Sequence, residues 1–540
     1  MLHLIFVVLP LLSLGDPADI RGHCVAPPGP VVRTPLGDVE GLRYEDINVF
    51  LGIRYATAER FHKPEPVQRW NTTYPACAYG LACHVFTDFP YKDRTSDDCL
   101  FLNIFAPSTP SFDPSGYPVL VFIHGGGFAF GLVSSYPYEI ISENFAKRGV
   151  IFVTLNYRVG PFGFFATGNS EAPGNNGLWD QTAALQFVKR VIGSFGGNSG
   201  RITVAGHSAG SICLTALTLS THSRDLFQQA IMMSGSLFSS SILSDRVVNQ
   251  SAMVARRLGC DRGFNVSATL ACLRNISGES YNPIYSQLSP LTEELIGSRF
   301  GPHLDGVFLS ADLRKLLETA VPKPTIMGIT DMEAGLFVMI PGSFPVSIPK
   351  SERNSYDGKK LEKLLLKYYG SPPQLHQLVK EFYIDRTAGN MTRNSTSYLT
   401  ILTKLASDVT FVVPVLQEAD SKKRAGWPMF LYLQEGVDTE HEDFSVWGTF
   451  HNTEIQHLLH RVAESDYEKS LLEGFISFVK TGRPAVKGTP WKPTSASNPG
   501  RHFIFGAQNR MAKEDLMKDT AELWLQKIPY EMRKLAVPLI

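Results

Sequence analysis

The sequence predicts an α/β fold: a central, mostly parallel twisted sheet with helices on both faces and helical insertions laid over it. Three observations predict this. First, "YPVLVFIHGGGF", "VIFVTLNYRVG" and "RITVAGHS" are continuous β-rich runs bounded by Pro or Gly, the pattern of strands buried on both faces. Second, "LWDQTAALQFVKRVIGSF", between the second and third runs, carries apolar residues at helical spacing. Strand, helix, strand in that order makes neighbouring strands parallel. Third, the stretch from about 340 to 470 is helix-rich, and "GKKLEKLLLKYYG" is its clearest amphipathic piece. It reads as an insertion over the sheet rather than an independent domain.

The chain ends and composition frame this core. The 540 residues are 44% hydrophobic and 19% charged, ordinary globular composition. Lys plus Arg equals Asp plus Glu, at 51 each, so no charge excess points to nucleic acid or to a solvating tail. "MLHLIFVVLPLLSLGD" reads as a secretory signal over residues 1–15, ending at the small Ser13 and Gly15. It is shorter than the roughly 20 apolar residues a membrane span needs. Residues 16–540 read as one domain. No later stretch reads as a span, and "KLAVPLI" is neither a retention signal nor a lipid-anchor tail. Six Asn-x-Ser/Thr sequons, at Asn71, Asn249, Asn265, Asn275, Asn390 and Asn394, agree with export. The expectation is a secreted glycoprotein with no stable membrane anchor.

Seven cysteines follow from the same compartment: Cys24, Cys77, Cys83, Cys99, Cys213, Cys260 and Cys272. An odd count leaves at least one without an internal partner. Cys213, in an apolar helical run, is the expected free one, buried and inert. Spacing alone does not fix the other pairs. No Cys-x-x-Cys or His-x-x-x-His cluster suggests a zinc site.

The third β-run ends in "AGHSAG". Gly206 and Gly210 flank Ser208 in a G-x-S-x-G pattern, with "ICLTALTL" reading as a helix after it. A strand that turns abruptly into a helix strains its turn residue, and glycines on either side relieve the clash. The hydroxyl then stands at the carboxyl edge of the sheet, in front of a helix N-terminus. A Gly/Ser-rich turn would show the same letters without the strand before and the helix after.

"HGGGF", His124 to Phe128, follows the first β-run about 80 residues earlier. Attack on an ester carbonyl creates an oxyanion that backbone N–H groups stabilise, and glycines let the backbone approach closely. Gly126 and Gly127 are the best donors, with Ala209 as a third. A serine nucleophile needs a base and an orienting carboxylate, in the chain order Ser, acid, His for this arrangement. His451, in "WGTFHNTEIQHLL", is the leading candidate, with His441, His457 and His460 as rivals.

These residues resemble the type-B carboxylesterase and cholinesterase family over nearly the whole chain. "FLGIRYA", "RFHKPEPVQRW", "DDCLFLNIFAP", "HGGGF", "NYRVGPFGFF" and "GNNGLWDQTAALQFV" come in family order and spacing. So do "FGGNSGRITVAGHSAG", "MMSGS", "DGVFLS" and "FVKTGRP". The resemblance implies the α/β-hydrolase fold and a serine carboxylic-ester hydrolase working through an acyl-enzyme. It implies no cofactor and no metal, and a small-molecule ester as substrate. "GITDMEAG" resembles the family's acid segment and puts the carboxylate at Glu333, where Asp331 would otherwise be an equal candidate. "FHNTEI" resembles the histidine segment and selects His451. The implied triad is Ser208, Glu333 and His451. Cys83–Cys99 and Cys260–Cys272 match two family disulfides, and the remaining Cys24 and Cys77 are paired with each other.

Three departures qualify the resemblance. His207 stands where the family usually has Glu before the nucleophile, and reads as a packed turn residue with no catalytic part. "HVFTDFPYKDRTSDD", between Cys83 and Cys99, lacks the tryptophan on which the family's cholinesterases hold a quaternary ammonium. Both argue against choline esters. Asn452 replaces a usual glycine after the histidine and could alter that loop's backbone. The alternatives are an adhesion protein of the same fold, which would need no intact triad, and a lipase for long acyl chains.

Overall fold

The computed structural model describes residues 29–87, 94–239, 243, 245–290, 295–340, 344–386, 393–436, 446–487, 489–495 and 497–534. The expected signal at 1–15, Cys24, Asn390 and His441 lie outside these residues.

Among the described residues, eleven strands form the central sheet. In chain order they are β1 (Leu42–Tyr44), β2 (Ile47–Arg54), β3 (Phe101–Pro107), β4 (Tyr117–Ile123), β5 (Ile151–Leu155) and β6 (Gly197–His207). Then come β7 (Gln229–Met233), β8 (Thr325–Thr330), β9 (Met429–Gln434), β10 (His502–Phe505) and β11 (Arg510–Met511). Their order across the sheet is β11-β10-β9-β8-β7-β6-β4-β5-β3-β2-β1. From β5 to β10 every neighbouring pair is parallel. β1, β2 and β3 at one edge, and β11 at the other, pair antiparallel. The expected α/β-hydrolase sheet is therefore present.

Alternation along β4 shows how the sheet is covered. Val119, Val121 and Ile123 point into one core, and Leu120 and Phe122 into the other. Helices α1 (Asn176–Val191) and α2 (Ala209–Leu219) lie on the first face. The helical layer follows: α3 (Gly358–Tyr369), α4 (Pro373–Lys380), α5 (Ser395–Ser407) and α6 (Val413–Arg424). Leu361, Leu365, Leu375, Leu402 and Leu405 of this layer share a third core with Met332, Ala334 and Val338. Beyond it are α7 (Thr453–Leu459) and α8 (Asp466–Thr481); Phe475 and Phe478 of α8 pack in the second core.

One expectation is corrected. α5 and α6 join into a 30-residue helix, Ser395–Arg424, long and apolar enough by length and composition to cross a membrane. In the fold 72% of its apolar window is buried, because it packs as a core helix over the sheet. The Cys83–Cys99 and Cys260–Cys272 disulfides are present, Cys77 is also disulfide-bonded, and Cys213 is free and buried on α2. Asn71, Asn249, Asn265, Asn275 and Asn394 are all exposed. The side-chain oxygens of Asn265 and Asn394 cap the helices that follow them.

The strand order reverses at β4: β5 lies on one side of it and β6 on the other. Such a reversal opens a crevice at the carboxyl ends of the strands. Both glycine-rich turns leave the sheet there, since Ile123 of β4 pairs with Gly206 of β6.

Candidate active site

Ser208 sits at φ 55° and ψ −123°, between β6 and α2. Such a backbone costs on the order of 1–3 kcal/mol and persists only where its surroundings enforce it. Here Ser208 N–H donates to Met233 O at 2.8 Å, and its carbonyl accepts from Ile212 N–H at 3.0 Å. A Cβ on Gly206 would lie 2.3 Å from Gly210 O, and one on Gly210 would lie 2.2 Å from Ile123 O. The bare positions around the serine are thus required by backbone contact. The hydroxyl is partly exposed and makes no hydrogen bond among the described residues.

The turn after β4 is fixed from below. His124, buried, stacks on Tyr157 with ring centroids 4.4 Å apart, and its Nδ1–H donates to Gly125 O at 2.8 Å. Burial lowers its pKa to about 4, so the ring is a neutral prop. Gly126 and Gly127 follow at φ 114° and 59°. Among the described residues, the N–H groups of Gly126, Gly127 and Ala209 meet no protein acceptor. A Cβ on Gly125 would lie 2.9 Å from Ser208 Cβ, so this turn and the elbow are in contact.

The acid and the histidine arrive from β8 and β9. Glu333, fully buried in the turn after β8, accepts Thr330 N–H on Oε1 at 2.8 Å. Its Oε2 takes the Nδ1–H of His451 at 2.6 Å, and its backbone carbonyl takes the N–H of His451 at 3.3 Å. Burial raises the carboxyl's pKa to about 7, opposed by hydrogen bonds from Ser234 and Thr330, and burial lowers the imidazole's. Asp331, the equal candidate by position, instead accepts Thr449 N–H at 2.6 Å and ties the acid turn to the histidine loop. Of the rivals, His457 pairs with Glu468 at 2.7 Å inside the capping box of α8, and His460 lies against Tyr136. Asn452 adopts a left-handed backbone at φ 80°, a region asparagine tolerates.

His207 is packed, 4% exposed, with its ring 4.6 Å from that of His451. Burial pushes its pKa well down, so it brings no charge. Phe411 and Phe337 also face His451, at 4.7 Å and 5.3 Å between centroids. Sequence reasoning missed both phenylalanines and a second buried carboxyl, Glu454. Glu454 accepts Tyr432 OH at 3.0 Å and Ser234 OH at 3.3 Å, and burial together with the Glu333 charge raises its pKa to about 8. Glu454 lies inside the quoted "FHNTEI" and so had a local signal; Phe411, on a distant helix, had none.

A strained serine at the reversal point of a parallel sheet, facing unpaired amides, with a carboxylate-bound histidine beyond the later strands, defines an α/β-hydrolase. The chain belongs to the Carboxylesterase family of carboxylic-ester hydrolases, whose profile matches residues 28–524. It is similar to gut esterase 1 of Caenorhabditis briggsae, 30% identical over 94% of this chain and 93% of that protein. Carboxylesterase 5A of Mus musculus is 30% identical over 92% of this chain and 89% of its own length. Bile salt-activated lipase of Rattus norvegicus is 27% identical over 97% of this chain and 89% of its own length.

Proposed function

We propose that the protein is a secreted serine esterase that hydrolyses neutral carboxylic esters through Ser208, His451 and Glu333. The observation that carries this reading is the 2.6 Å contact between His451 Nδ1 and Glu333 Oε2, its ring packed against the residue before Ser208. Glu333 holds the proton on Nδ1, which leaves Nε2 free to accept the proton of Ser208 once the hydroxyl turns toward it. Ser208 Oγ attacks the ester carbonyl, and the N–H groups of Gly126, Gly127 and Ala209 hold the oxyanion. The imidazolium gives its proton to the leaving alcohol. Water then repeats the attack on the acyl-enzyme and frees the acid.

Neutral surroundings favour uncharged substrates. His207 replaces a carboxylate, and Phe337 and Phe411 wall the histidine. Phe130 on the oxyanion turn and Trp447 on the histidine loop are 38% and 78% exposed, which favours apolar acyl groups within this reading. Hydrolysis rates across a graded acyl series are the measurement that decides between a short-chain esterase and a lipase. Secretion is supported by the disulfides and by exposed sequons. Residues 16–540 are read as one domain because strands from Leu42 to Met511 share one sheet.

The test is Ser208→Ala on a p-nitrophenyl acyl ester. Turnover is expected to fall by about 10⁶, as for removal of a serine nucleophile in a protease, with loss of fluorophosphonate labelling. Retention of full activity overturns the assignment.

A further inference from the structure

Among the described residues, three helices of the layer over the sheet contain π-turns: Glu381–Asp385 after α4, Asp408–Val412 between α5 and α6, and Glu522–Lys527 near the C-terminus. A π-turn fits one extra residue into a helical turn at some cost in hydrogen bonding, and is found frequently at functional sites. These three are distant in sequence and meet at one buried node. Asp408, its side chain fully buried, accepts the Tyr383 hydroxyl on Oδ2 at 2.8 Å and the Thr520 hydroxyl at 3.1 Å. Lys404 pairs with its Oδ1. The Tyr383 oxygen in turn accepts Trp524 Nε1–H at 2.9 Å. Each π-turn thus contributes one member: Tyr383, Asp408 and Trp524.

The residues around Asp408 reach the two groups that matter for proton transfer. Ser407 Oγ accepts the N–H of Ala334, next to Glu333, at 2.9 Å and donates to Thr403 O at 2.7 Å. Phe411, inside the turn, packs against the His451 ring and against Phe337. We propose that the Asp408 node is a positioning device for the Glu333–His451 pair, acting through Ser407 on the acid turn and Phe411 on the imidazole. This rests on the catalytic roles assigned above. Deleting the extra residue of the turn would swing Phe411 by about 100° relative to Ser407, so a regular helix could not present both. A buried charged cluster is a poor way to stabilise an otherwise apolar layer. What the node supplies is geometry.

Tyr383→Phe removes the hydroxyl that links Asp408 to Trp524 and keeps the ring. It is chosen over Asp408→Ala, which strips Lys404 of its partner and confounds position with folding. Trp524→Phe, read in the same way, is the second variant. The measurements are kcat and KM for a p-nitrophenyl ester per active site titrated by fluorophosphonate, and the pH profile of kcat/KM. The expected result is kcat reduced about tenfold with KM within about twofold, as for a small misplacement of the base, and a displaced acid limb. If both variants keep kcat per titrated site within about twofold and lower only the unfolding midpoint, the node is structural and the proposal fails. Failure of the catalytic roles shows separately: Ser208→Ala would remain active. A dead Ser208→Ala beside normal Tyr383→Phe and Trp524→Phe overturns the node alone.

Discussion

Glu333→Gln replaces the orienting acid with its closest neutral shape, and the site geometry fixes what must follow. Two donors fix how the carboxylate is turned, one on each oxygen: Thr330 N–H at 2.8 Å on Oε1 and His451 Nδ1–H at 2.6 Å on Oε2. An amide has one oxygen. If that oxygen keeps Thr330 N–H, the NH₂ faces Nδ1 and forces the imidazole proton onto Nε2, where it blocks the serine. If the amide flips, its NH₂ faces the backbone N–H inside a buried turn, which costs about 1–3 kcal/mol. The competent arrangement is then held by about one molecule in six at best and about one in 160 at worst. The imidazolium also loses a charge-assisted hydrogen bond, about 1.5–3 kcal/mol or a further factor of about 10 to 150. Together these predict a fall in kcat/KM of about 10² to 10⁴; the corresponding amide substitution in a serine protease costs about 10⁴. The assay is kcat/KM on a p-nitrophenyl ester at pH 8, with circular dichroism and melting to confirm the fold. A folded Glu333→Gln enzyme within about tenfold of the parent would refute the tautomer argument.

The same pair sets a pH dependence. Its carboxyl is raised to about 7 and its imidazole lowered, both by burial. Below the midpoint the pair holds one extra proton, and whichever partner carries it, Nε2 is protonated and cannot act. Activity therefore rises as pH increases through about 7 and levels off above it; a flat profile from about pH 5 to 8 contradicts a histidine base. Away from the site, Arg158 and Asp180 form a buried bidentate pair at 2.8 and 2.7 Å, with 5% and no side-chain exposure. Asp180→Ala strands the guanidinium and is expected to lower stability by about 3–5 kcal/mol in urea unfolding; a loss under about 1 kcal/mol shows that Arg158 finds another partner.

Much of this molecule is written in local pattern. Strands β4, β5 and β6 are legible because a strand buried on both faces needs an unbroken apolar run, and α1 and α2 because their apolar residues recur at helical spacing. The elbow is legible because a backbone carbonyl presses on each flanking position and leaves room only for glycine. The antiparallel edge is harder to see: β1 and β11 have three and two residues, too short to carry a period. The long helix Ser395–Arg424 could not be told from a membrane span by composition, since a buried helix and a lipid-bathed one need the same apolar surface.

The distant partnerships belong to the tertiary structure. Residue type and spacing leave His451 with rivals until the resemblance of "FHNTEI" selects it, and one rival, His457, also has a glutamate at hydrogen-bond distance. Only the parallel pairing of β8 with β9 brings residue 451 onto Glu333, across 118 positions of chain, while Asp331 is taken by Thr449. The meeting of Tyr383, Asp408 and Trp524 is likewise invisible in any short window. A local pattern reports the dihedral and burial preferences of its own segment. Which side chains finally touch depends on how the sheet register and the packed helices close over distances no single segment encodes.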